Sequence, residues 1–143
     1  MGLVAEQSKT DAFAKELEAW FVGASARPRR GEEGQWRIEV GAEWTISTYQ
    51  WRLVGAKSII VTSEDDGHQF GLPAPIDAEA MAYEAVSGLR ISAVSLDART
   101  GDLAISFDNG FSLQVLTWSL GYEMWQLYRD GEFYGAVGNE GLR

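Results

Sequence analysis

Residues Leu89–Tyr128 read LRISAVSLDARTGDLAISFDNGFSLQVLTWSLGYEMWQLY, and the register of this stretch decides the fold. Two glycine-bearing turns lie inside it, and each can be tested against the apolar alternation on either side. Across Asp108-Asn109-Gly110, a two-residue Asn-Gly turn would set Ile105 against Gln114, an apolar side chain against an amide. A three-residue loop with Gly110 in the left-handed conformation instead sets Phe107 against Phe111, Ile105 against Leu113 and Leu103 against Val115. A slip of one residue turns every side chain of a strand to the opposite face, so the register that matches apolar with apolar wins. The preceding loop, Ala98-Arg99-Thr100-Gly101, pairs Leu96 with Leu103 and Val94 with Ile105, with Gly101 supplying the positive φ that closes it. Both turns predict one buried face: Val94, Leu96, Leu103, Ile105, Phe107, Phe111, Leu113 and Val115.

Upstream, the period changes. Phe13, Leu17, Trp20 and Phe21 fall at i, i+4, i+7 and i+8, one stripe of a helix from about Thr10 to Val22, with Ser8 or Thr10 as its cap and Gly23 as its stop. Residues 24–34, ASARPRRGEEG, have the composition of a linker, so residues 1–34 are read as a helix plus linker. Alternation then marks strands through Trp36-Ile38-Val40, Trp44-Ile46, Trp51-Leu53, and either Ile60-Thr62 or Ile59-Val61, with turns at Gly41 and Gly55. A polar loop, SEDDGHQFG, leads to an extended Leu72-Pro73-Ala74-Pro75. Asp77 caps a second helix, Ala78 to Val86, expected to turn Met81, Ala82, Ala85 and Val86 inward. Gly131 and Gly135 break up the tail, where Phe133-Tyr134 can add a short edge strand. The prediction is an α+β chain, mainly antiparallel β, in which residues 35–143 form a bent sheet or a sandwich of about eight strands with helix 77–87 inserted, all one folding unit with the amino-terminal helix.

Composition bounds the function. At 143 residues and 45% hydrophobic content, one domain with a full core is expected. No run approaches the roughly 18 apolar residues that cross a bilayer, and the start, MGLVAEQSKTD, lacks a signal-peptide pattern, so a cytoplasmic protein is the expectation. Without cysteine there is no disulfide framework and no thiolate metal site. A net charge of −9 repels a phosphate backbone, leaving Arg27-Pro28-Arg29-Arg30 as the one basic candidate, and favours basic protein partners.

Catalytic constellations are sparse. His68 is the only histidine and follows Glu64, Asp65 and Asp66, so a zinc site would need carboxylates beside it. There is no Gly-x-Ser-x-Gly elbow, and Ser63–Gly67 lacks the spacing of a calcium loop. Asp97, Asp102, Asp108 and Glu123 lie near strand ends, where aspartate serves turns by bonding nearby backbone N–H groups. The expectation is therefore no catalytic residue, no metal and no cofactor.

Six tryptophans stand out: Trp20, Trp36, Trp44, Trp51, Trp118 and Trp125. Most alternate with polar neighbours and fit sheet packing. Counting on from Val115, Leu116 and Trp118 point away from the buried face, so a helix, the other strands or a partner must cover them. Leu116, Trp118, Tyr122 and Trp125 form the candidate interface.

The run Thr100-Gly101-Asp102-Leu103-Ala104-Ile105-Ser106-Phe107-Asp108-Asn109-Gly110, followed by Gly121-Tyr122-Glu123-Met124-Trp125, resembles a signature, TGDL-x-I-x-F-x-NG…YE-x-W, of small uncharacterised bacterial proteins. Gln50-Trp51-Arg52-Leu53 and Ser63-Glu64-Asp65-Asp66 resemble a further region of the same group, so the similarity spans about Trp44 to Tyr128. Some members look like immunity proteins that neutralise a toxin from a neighbouring gene. The resemblance implies a non-enzymatic protein-binding module with a protein partner, and carries no catalytic residues because its signature is turn and core. A homodimeric module built on the Trp118 face and a carboxylate-based ligand binder or enzyme using Asp102 and Glu123 are the alternatives.

Overall fold

The computed structural model describes the backbone of residues 2–119, 124–138 and 141–142, and the side chains of 9–119 and 124–135. Helix α1 (Gly2–Phe21) is followed by β1 (Ala26–Arg30), β2 (Trp36–Val40), β3 (Trp44–Thr48), β4 (Trp51–Val54) and β5 (Ile59–Thr62). Helix α2 (Ala78–Val86) then leads to β6 (Ile91–Leu96), β7 (Leu103–Phe107), β8 (Ser112–Val115), β9 (Trp125–Arg129), β10 (Glu132–Gly138) and β11 (Gly141–Leu142). The strands form two antiparallel sheets, ordered β1-β2-β3-β9-β10-β11 and β5-β4-β8-β7-β6.

The registers read from the turns are those of the protein. Leu103 pairs with Val115, Ile105 with Leu113, Val94 with Ile105 and Leu96 with Leu103. The Phe107 N–H donates to Phe111 O at 2.8 Å, closing the three-residue loop with Gly110 at φ 91°, and Gly101 sits at φ 80°. Leu103, Ile105, Leu113 and Val115 are fully buried, together with Leu53 on β4, which pairs with Leu113.

The sheets meet at a shared corner, which resolves the choice between a bent sheet and a sandwich: each reading describes part of it. β3 pairs with β9 in the first sheet, and its continuation β4 pairs with β8 in the second, so the chain crosses between sheets twice at one place. Thr48, fully buried, stitches that crossing, its hydroxyl lying 3.3 Å from Gln50 O and 3.4 Å from Met124 O. Inside, Trp36 of the first sheet meets Trp51 of the second edge-to-face at 5.1 Å, in one core drawn from both sheets. The two helices close the open sides. α2 packs on β1 and β5, and α1 on β6 and β11, an edge strand from each sheet in both cases. Covering both seams removes edges on which another chain's strand could add.

Four expectations are corrected. Residues 24–34 are not a linker: residues 26–30 are β1, paired along its length with β2. Its proline is compatible because β1 is an edge strand, and Ala26 and Pro28 alternate inward between arginines. α1 starts at Gly2 rather than Thr10, since Leu3, Ala5, Glu6 and Gln7 are good helix formers with no breaker among them. Met81 is exposed: with Asp77 as cap, the buried stripe runs Ala78, Ala82, Val86 at i, i+4, i+8. The sheets hold more than eight strands, because Phe133-Tyr134 belongs to a long β10 joined to β9 by a two-residue turn, Asp130-Gly131, and followed by β11. On β5, Val61 faces in and Ile59 out.

Candidate functional site

The corner that joins the sheets also carries the candidate interface. Beyond Val115 the chain leaves the second sheet, and the Leu116 N–H donates to Gln50 O at 3.0 Å, laying the two crossing segments side by side. Leu116 is half-buried there and Trp118 stands 61% exposed. Tyr49, beside Gln50 on the other crossing segment, is exposed as well. Nothing in the alternation flags Tyr49, because a residue between strands carries no face.

Next to Leu116 an open groove of about 370 Å³ runs over the outer side of β6–β8, lined by Ser95, Asp97, Asp102, Ala104, Gln114 and Leu116. Both aspartates bond backbone N–H groups through Oδ1, Asp97 within its own turn and Asp102 across to the segment after β8. Asp97 accepts the Arg99 N–H at 2.8 Å and the Thr100 N–H at 3.2 Å, bonds that hold its carboxyl below the usual carboxylate range. Asp102 accepts the Thr117 N–H at 2.7 Å and so fixes the segment that presents Trp118.

Of the other interface residues, Trp125 is corrected. Alternation cannot be counted from β8 through the crossing into β9, and Trp125 points into the core, 1% exposed, stacked near Phe13 with its indole N–H donating to Gly101 O at 2.9 Å. Tyr122 and Glu123 lie outside the described residues.

The basic run is spent internally. Arg30 forks onto Asp66 at 3.0 and 2.8 Å, reaches Asp77 at 3.1 Å and Glu79 at 3.2 Å, and lies over the Trp36 ring. Arg29 pairs with Glu39 at 3.2 Å, and Arg27 sits 4.1 Å over the Tyr83 ring. These contacts bind β1 to the start of α2 rather than forming an open cationic patch. The Arg30 guanidinium lowers the Asp66 pKa; at Asp77 the Ala80 N–H is the larger cause and Arg30 the second, while Arg30 itself is raised. Carboxylates lowered on folding stabilise the protein above their unfolded pKa, near 3.8, and lose that contribution as pH falls through the lower folded value. Replacing Arg30 by Met should therefore cost roughly 1 kcal/mol at pH 7, a figure kept small because these side chains are partly solvated. In urea unfolding the difference from wild type should shrink steadily below about pH 4; a difference that stays constant down to pH 2 would contradict the ion-pair account.

His68 is exposed and stacks on Phe70 at 5.4 Å. Among the described residues no group of three His, Asp or Glu side chains is placed to hold a metal ion, and no helix is long and apolar enough to cross a membrane. No protein-family model matches this chain, and no curated protein or solved structure matches it either.

Proposed function

We propose that this chain is a non-enzymatic protein-binding module of the immunity type, a cytoplasmic bacterial protein that neutralises a toxin by covering it with the patch around Trp118. The observation that carries the reading is Trp118 itself, an indole 61% exposed on a segment held in place by Asp102 and Gln50. A large aromatic ring presented from a fixed backbone is the kind of residue that dominates binding energy at interfaces. The acidic groove beside it and a net charge of −9 favour a basic partner over a second copy of the same acidic chain. Of the carboxylates the enzyme alternative would use, Asp102 is engaged in holding the Thr117 N–H, and its neighbour Asp97 holds the Arg99 N–H.

Co-expression with the toxic product of an adjacent gene tests this. Wild-type chain should restore growth and Trp118→Ala should restore it poorly at equal protein level. No rescue by the wild type, with both proteins soluble, would remove the immunity reading. Sedimentation of the chain alone at micromolar concentration separates it from the homodimer, which requires a dimer that Trp118→Ala dissociates.

A further inference from the structure

The loop between β5 and α2 departs from what its backbone asks for. Gly67 N–H donates to Ile76 O at 2.8 Å and Ile76 N–H to His68 O at 2.8 Å, zipping the base of residues 67–76 shut. At the tip, Leu72 N–H donates to Gln69 O at 2.7 Å, and the Gln69 amide returns to Leu72 O at 2.7 Å. The two residues inside this turn, Phe70 and Gly71, have φ of 47° and 76°. Consecutive positive φ values with that hydrogen bond describe a type I′ turn, whose natural occupants are Asn-Gly or Asp-Gly. The chain fills the same geometry with Glu33-Gly34 between β1 and β2 and with Asp130-Gly131 between β9 and β10, a polar residue first in both. Among the described residues, only here does a bulky apolar side chain occupy the left-handed position, where it is a steric outlier.

Folding gains little buried area from that choice. Phe70 is 67% exposed, the most exposed large apolar side chain among the described residues, and Leu72 beside it is 48% exposed. The Phe70 ring stacks on the parallel imidazole of His68, itself exposed. A locally unfavourable residue left mostly in solvent, with one exposed imidazole against its ring, marks a position chosen for something other than stability. The surroundings give the chemistry of what it meets. The loop is flanked by Glu64, Asp65 and Asp66 on one side and by Asp77 and Glu79 on the other; Arg29 and Arg30 pair with Asp66, Asp77 and Glu79, and five carboxylates against two arginines leave the base net acidic. An apolar tip on an acidic base fits an apolar pocket with a basic rim, and the same carboxylates oppose insertion into an anionic bilayer.

We infer that residues 67–76 form a preformed docking finger whose Phe70 inserts into a basic-rimmed apolar pocket of a protein partner. This second contact surface is independent of the Trp118 patch.

The test has two arms. In the purified chain, Phe70→Asn should leave the thermal midpoint unchanged or raise it by roughly 2–4 °C, because asparagine accepts the left-handed conformation. A drop of several degrees would make Phe70 a packing residue and overturn the proposal. In cells, a photo-crosslinking p-benzoylphenylalanine at position 70 should give one discrete protein adduct that the same group at exposed Lys57 does not give. That protein, purified, should bind Phe70→Asn at least tenfold more weakly than wild type. No adduct, an adduct with a second copy of the chain, or one with lipid would overturn the finger, as would equal binding by Phe70→Asn. Titrating Trp118→Ala against the same protein separates the two surfaces: normal binding shows that the finger acts without the Trp118 patch, whereas loss of binding by Trp118→Ala alone, with Phe70→Asn unaffected, overturns the finger.

Discussion

Leu113→Ala should destabilise the protein by about 3–4 kcal/mol, within the span of enclosed Leu-to-Ala substitutions. Leu113 is fully buried at the middle of the second sheet, paired with Ile105 on one side and Leu53 on the other, both also without solvent exposure. Three strands fix its surroundings, so the neighbours cannot collapse into the vacated space and the cavity remains. Leu116→Ala, three residues further along the chain, just past β8 and half-buried at the groove, should cost well under half as much. Urea unfolding monitored by tryptophan fluorescence compares the two: the midpoint should move strongly for Leu113→Ala with the slope preserved. Equal, small shifts would mean that the face inferred from the two glycine turns is not an interior.

That face was legible in the sequence because two turns constrain one register between them. Loop length at Asn109-Gly110 and at Thr100-Gly101 each admits one alignment in which apolar residues oppose each other, and β6, β7 and β8 adopt it. α2 was legible through Asp77, whose side chain accepts the Ala80 N–H. What escaped has physical reasons. β1 is short and carries three arginines and a proline, so propensity speaks for a loop; its reward is tertiary, through Arg30 on Asp66, Asp77 and Glu79, partners between 36 and 49 residues away. Asp130-Gly131 is a two-residue hairpin signal, obscured in the sequence by Gly135 nearby, which reads as a break in the strand. At the site, Trp118 keeps the outward direction expected of it, whereas Trp125 does not, because the chain changes sheets between them and parity is lost across a crossing. Tyr49 and Phe70 became visible only with the backbone: one by its place at the corner, the other by its φ.

Trp118→Ala is expected to behave in the opposite way to Leu113→Ala. With its ring mostly in solvent, Trp118 contributes little to folding, and its removal should leave unfolding within about 0.5 kcal/mol of wild type. As the proposed anchor of a docking patch it should contribute at least ~2 kcal/mol to partner binding, about thirtyfold in affinity. The loss should appear mainly as faster dissociation, since the acidic groove proposed to steer a basic partner is untouched. Asp102→Asn, which weakens the acceptor holding Thr117, should fall between wild type and Trp118→Ala in affinity. The most direct measurement is a calorimetric titration of the adjacent gene's product into wild-type chain and into Trp118→Ala, at matched concentration and salt. The account predicts a saturable one-to-one complex for the wild type and an affinity at least thirtyfold weaker for a variant of equal stability. Identical binding curves for the two proteins would contradict it.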